Sequence, residues 1–183
     1  MSEELLVRQC APTLAGVKTG SLFSCPYNSK ELMTDDVRRL NRTLVPKGLR
    51  LLPLRYSEKR VLLYLYRPAE LGRDLTDAGA AEILNAAGYC CTDCDRCVVR
   101  LIQRLRTNDD FPHEIGLFLS YPPEDVKGFI DNNAANFKYS GLWKVYGDEE
   151  RAMALFKKFR KCTDIYCRLW QAGVGLDKLA VAA

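Results

Sequence analysis

Residues 60–67 read Arg-Val-Leu-Leu-Tyr-Leu-Tyr-Arg, and this run constrains the fold more than any other. In an extended chain successive side chains point to opposite faces, so Val61, Leu63 and Leu65 share one face while Leu62, Tyr64 and Tyr66 share the other. Both faces are apolar. A strand of that kind belongs in the middle of a sheet, covered on both sides. The preceding run Leu49 to Tyr56 is also apolar, and Ser57, Glu58 and Lys59 between the two suit a β-hairpin with a three-residue loop.

Around this hairpin the chain alternates irregularly. No element is assigned before Ser21; Ser21 to Cys25 reads as a short strand stopping at Pro26. Ser29 or Thr34 can cap a helix running to Leu44, which Pro46 ends. After Pro68 a helix is expected from about Leu71 to Ala87, closed by Gly88 as a left-handed cap. Thr92 and Asp95 resemble a capping box for a helix over Cys94 to Arg106, with an apolar stripe of Cys94, Cys97, Val98, Leu101, Ile102 and Leu105. Ile115 to Ser120 reads as a buried strand, Pro122 to Ile130 as a short helix and Leu142 to Tyr146 as a last strand. Asp148 caps a final helix whose stripe runs through Ala152, Phe156, Phe159, Cys162, Tyr166 and Leu169. The expected fold is α+β: one domain over residues 1–183, with a mainly antiparallel or mixed sheet of about five strands covered by helices.

Composition agrees with a folded globule and excludes disorder, since 48% of the 183 residues are apolar and 27% charged. The net charge of +4 is at the level needed for solubility, without the single-sign field of a dedicated nucleic-acid binder, so nucleic acid is not an expected partner. Acids at Glu3 and Glu4 oppose a secretory signal, and the longest apolar run, Val61 to Tyr66, is far below the roughly 20 residues of a spanning helix. A cytoplasmic protein without membrane segments is expected, its eight cysteines reduced thiols or metal ligands.

The densest chemical feature is Cys90, Cys91, Cys94 and Cys97. Soft thiolates suit zinc or an iron–sulfur cluster, and the C-x2-C-x2-C and C-x3-C-x2-C spacings both occur in cluster proteins. Against this, a helix beginning after Thr92 places Cys94 and Cys97 on its apolar stripe, where cysteine acts as a small hydrophobe. The expectation is no obligatory metal and no cofactor required. Cys162 and Cys167, five apart on a helix, point to different sides. His113 is the single histidine, with Glu114 beside it, and can serve as a general base or pair with a thiol such as Cys10. The stretch Leu14 to Ser21 has glycines and Lys18 but lacks the spacing of a phosphate loop. The arginines at 96, 100, 104 and 106, and the run Lys157, Lys158, Arg160, Lys161, fall on polar helix faces, which are usually solvated.

The segments Cys10 to Lys18, Val45 to Tyr56, His113 to Val126 and Trp143 to Asp148, in this order, resemble a family of small cytosolic proteins from anaerobic Firmicutes known as the domain of unknown function 3793. The likeness spans nearly the whole chain and implies no activity; its association with genes for ferrous-iron uptake and flavodoxin implies iron or redox physiology. Its most recognisable positions match Cys10, Pro12, Thr13, Lys18, His113, Glu114, Trp143 and Cys162. The resulting expectation is a ligand-binding or redox-linked protein with one polar site. Cys10 would be thiolate or ligand there, His113 and Glu114 proton carriers, and Lys18, Thr13 and Trp143 contacts for a small anionic ligand. Two alternatives stand beside it: a non-catalytic module docking an acidic redox protein such as flavodoxin, and an iron–sulfur or zinc protein using Cys90 to Cys97.

Overall fold

The computed structural model describes residues 1–89, 93–107 and 111–182. Its contacts divide the chain into two compact units, one of residues 1–69 and 159–183, the other of residues 70–158.

Unit one is built on the hairpin read from the sequence. Strands β1 (Gly20–Pro26), β2 (Arg50–Tyr56) and β3 (Arg60–Tyr66) form an antiparallel sheet in the order β1-β3-β2, so β3 is central as its two apolar faces require. Leu63 pairs with Phe23 on one side and Pro53 on the other. Pro53 is tolerated because β2 is an edge strand, and the register shifts between Pro53 and Arg55. One face of the sheet (Phe23, Cys25, Leu51, Val61, Leu63, Leu65) packs in a core with helices α1 (Glu3–Leu14) and α2 (Lys30–Leu44) and the short C-terminal helix Leu176–Leu179. On the other face Tyr64 and Tyr66 are buried and stack with centroids 4.8 Å apart.

Helix α1 is the element that the sequence reading left unassigned. Ser2 accepts from the amide of Leu5, and Glu3 and Glu4 in the first turn complement the helix dipole. Pro12 lies in its last turns, where a proline argues against a helix from sequence alone. Ser29 caps α2 through the amide of Leu32, and a 3-10 turn at Val45–Lys47 with Gly48 at φ 75° finishes it.

Unit two is mostly helical: α3 (Pro68–Leu75, entering from unit one), α4 (Ala78–Ala86), α5 (Cys94–Thr107), α6 (Ile115–Phe118) and α7 (Pro123–Asp131). A two-residue hairpin, β4 (Tyr139–Ser140) with β5 (Lys144–Val145), follows. Helix α8 (Glu149–Gln171), capped by Asp148 on the amide of Arg151, belongs to unit two up to Lys158 and to unit one from Phe159.

Three expectations are corrected here. The sheet of about five strands is a three-stranded sheet and a separate two-stranded one, within an α+β fold. The helix expected over Leu71 to Ala87 is two helices, because Asp77 accepts from the amides of Gly79 and Ala80 and starts a new one. Ile115 to Ser120 is a helical turn held by bonds from Ile115, Gly116 and Leu117 back to Pro112, His113 and Glu114. All four residues of α6 are buried, and a continuous apolar run looks the same in a buried strand and a buried turn.

Candidate functional site

Two polar clusters stand out, one in each unit. In unit one, α1 ends on Cys10 and Thr13, both fully buried, and the chain turns at Gly16 (φ 72°) before Lys18 leads into β1. The Thr13 and Ser21 hydroxyls lie 2.8 Å apart, and Ser21 also bonds the Cys10 thiol. The turn is fixed from below by Arg67, whose guanidinium donates to the carbonyls of Thr13 (2.9 Å), Leu14 (2.9 Å) and Val181 (2.8 Å). A cation on the last carbonyls of a helix complements its negative end.

The electrostatics of this cluster restrain its chemistry. Burial pushes the Cys10 thiol well above its ordinary value, against a smaller opposing pull from Lys18 and Ser21. Burial also lowers the Lys18 amine to about 8, with Cys10 acting in the opposite sense. The amine lies 5.8 Å from the centroid of the Phe159 ring. A thiol that stays protonated is a poor nucleophile and a poor metal ligand, so the expected thiolate role of Cys10 finds no support in its surroundings.

In unit two, Glu114 is buried and central. Tyr89 donates its hydroxyl to Glu114 Oε1 at 2.9 Å, and Arg104 Nε lies 2.6 Å from the same oxygen. The Arg104 contact is an ion pair and not an aligned hydrogen bond. Arg104 is held further by donation from Nη1 to the carbonyl of Ala87 at 3.0 Å and by the Tyr89 ring beneath it. Burial first, and then the Glu114 charge, push the Tyr89 phenol far up, so it remains a donor.

Arg104 and Glu114 stand at the wall of a pocket of about 600 Å3 lined also by Ile83, Phe111, His113, Lys127 and Ile130, among others. Its size falls in the range of about 300–1,000 Å3 typical of small-molecule sites. His113 is exposed at the rim, its ring edge-on to Phe129 with centroids 5.0 Å apart. Lys127 bridges Asp131 at 3.2 Å and Glu82 at 3.9 Å.

Trp143 has a different setting from a ligand platform. It is buried, stacked on Tyr121 and edge-on to Phe156, and its indole N–H donates to Asp125 Oδ2 at 2.7 Å. Asp125 Oδ1 accepts from the amides of Tyr146 (2.7 Å) and Gly147 (2.8 Å), so this carboxylate ties α7 to the end of the β4–β5 hairpin. The four-cysteine feature falls partly outside the described residues, since Cys90, Cys91 and Thr92 are not among them. Cys97 is buried in the stripe of α5 and Cys94 is half-buried. Among the described residues no group of three or more His, Cys, Asp or Glu side chains is placed to hold a metal, and no helix is long and apolar enough to cross a membrane.

A family model described as "Protein of unknown function (DUF3793)" matches residues 6–180. The chain belongs to the DUF3793 family. The match covers the positions in both units, Cys10, Thr13 and Lys18 as well as His113, Glu114 and Trp143. No curated protein and no solved structure matches this DUF3793 chain. Its recognisable positions thus sort by unit: Cys10, Thr13 and Lys18 gather around Ser21, while His113 and Glu114 gather around Arg104 and Tyr89. Arg104, Tyr89, Ser21 and Arg67 were not singled out as site residues by the sequence. Arg104 sits on the polar side of an amphipathic stripe, where only its distant partner Glu114 distinguishes it from solvated arginines.

Proposed function

We propose that the protein binds a small molecule in the unit-two pocket, one with an apolar body and an acidic or acceptor end. The observation that carries this reading is the Arg104–Glu114 ion pair, braced by the Tyr89 hydroxyl and placed at the wall of a cavity of suitable size. Glu114 engages the guanidinium at Nε and the Ala87 carbonyl engages it at Nη1, which fixes its orientation. A guanidinium carries five N–H donors, so donors beyond those two contacts remain for an acceptor in the pocket. Ile83, Phe111 and Ile130 supply apolar surface for the body of the ligand, and His113 at the rim can donate, accept or carry a proton.

The site expected from the sequence, joining Cys10 to His113, gives way in this reading to His113 and Glu114 with Arg104; Cys10 belongs to the other unit, where burial pushes its thiol well above its ordinary value. A test uses 8-anilinonaphthalene-1-sulfonate, an aromatic body with an anionic end. Saturable one-to-one binding is expected, weakened about tenfold or more by Arg104→Gln, a loss of roughly 1.4 kcal/mol per decade. Phe111→Ala and Ile130→Glu, at exposed positions that do not endanger folding, should weaken it too. Unchanged dye affinity in those two variants would refute the pocket as the binding site.

A further inference from the structure

Unit one carries 16 Lys and Arg against eight Asp and Glu, whereas unit two carries 11 against 15. The positive excess of the whole chain therefore resides in unit one. Within it, the C-terminal part of α8 places Lys161, Ile165, Arg168 and Leu169 at i, i+4, i+7 and i+8, a single stripe on a helix. All four are either exposed cations or exposed aliphatics, with Ile165 40% and Leu169 39% accessible. Asp164, exposed at the edge of this stripe, is the one acid between Lys161 and Leu169. Lys161 and Arg168 form no ion pair among the described residues.

From this stripe we infer a docking face for an acidic helix of a partner protein, a helix that carries aliphatic residues beside its carboxylates. Charge complementarity decides the sign of the partner: Lys161 and Arg168, neither of them in an ion pair among the described residues, present cations on the stripe that carboxylates would neutralise. The aliphatic residues decide its class. Ile165 and Leu169 on the same stripe gain nothing from a phosphate backbone, whereas helix-on-helix recognition uses anchors at these spacings. The inference is independent of the pocket in unit two.

The test uses a fluorescein-labelled helical peptide with Glu and Leu on one face, measured by anisotropy against the full chain. Binding is expected at low salt and should fall as salt is raised. Lys161→Glu with Arg168→Glu should weaken it about tenfold or more. Ile165→Gln with Leu169→Gln should weaken it about threefold or more while preserving the salt dependence. Arg42→Glu with Lys59→Glu, an equal charge change at exposed positions elsewhere in unit one, should leave affinity within about twofold. Equal losses in the two charge-reversal variants would overturn the inference, since binding would then follow net charge alone. Absence of peptide binding, or tighter binding to a single-stranded oligouridine or to phosphatidylserine-containing vesicles, would also overturn it.

Discussion

Arg104 and Glu114 meet at 2.6 Å although α5 ends between them and Glu114 immediately precedes α6, and the Tyr89 hydroxyl completes the arrangement on the same carboxylate oxygen. Glu114 is almost fully buried, so its charge is compensated by these two groups and not by water. Removing one member of such a pair leaves the other charge uncompensated, which costs more than the pair itself contributes.

Glu114→Gln should therefore lower unfolding free energy by about 3 kcal/mol, the lower end of the range for a broken buried pair because Arg104 keeps some solvent contact. Urea denaturation followed by far-ultraviolet circular dichroism reads this directly. A midpoint equal to that of the parent protein would mean that the pair adds nothing to folding.

Phe156 provides the second expectation. It is buried against Trp143 and Tyr139, and Gly141 has no room for a Cβ because the Phe156 ring occupies that space. Phe156→Ala should open a cavity and cost on the order of 3–5 kcal/mol. Because the ring touches Trp143 edge-on, tryptophan emission should shift in the same variant before any unfolding. An unshifted spectrum together with an unchanged denaturation midpoint would contradict the packing described.

These residues also show what was legible in the sequence. The hairpin and the centrality of β3 follow from Val61 to Tyr66 taken with the neighbouring run Leu49 to Tyr56 and the three polar residues between them, since an extended run apolar on both faces belongs inside a sheet. The Ser29 and Asp148 caps and the Gly88 terminator were equally local and equally readable. Helix α1 was not, because Pro12 sits in its last turns, and α6 was not, because a short run buried all round has no period to read. His113 and Glu114 were visible as chemical types. Their partners were not, since Tyr89 and Arg104 come from separate elements and no local spacing announces a tertiary ion pair.

Cysteine reactivity separates Cys10 from the other thiols. Cys10 is fully buried with its thiol pushed up, whereas Cys94, Cys162 and Cys167 are half-buried. Iodoacetamide at neutral pH should modify those three at least about tenfold faster than Cys10, because only the exposed thiolate reacts. Peptide mapping by mass spectrometry over a time course gives the order. Early, preferential labelling of Cys10 would restore it as a candidate nucleophile.

The pair Cys10 and Lys18 should also leave opposite marks on stability above neutral pH. The Lys18 amine is about 8 in the folded protein against an ordinary 10.5, so between those values the unfolded chain holds a proton that the folded one has released. Stability from this group therefore rises with pH across that window. Cys10 acts the other way: its folded thiol stays protonated beyond the ordinary 9.0, so stability falls once the unfolded chain ionises there. In the parent protein the gain should begin near pH 8 and be blunted above pH 9. Cys10→Ala should extend the rise toward pH 10.5, and Lys18→Met should abolish it, leaving only the decline. Chemical denaturation of the three proteins at half-unit steps from pH 7 to 10.5 tests this, and their differences cancel the tyrosines that titrate in all three. Parallel curves for the parent and Lys18→Met would show that the amine is solvated in the folded state and that the proposed coupling to Cys10 is absent.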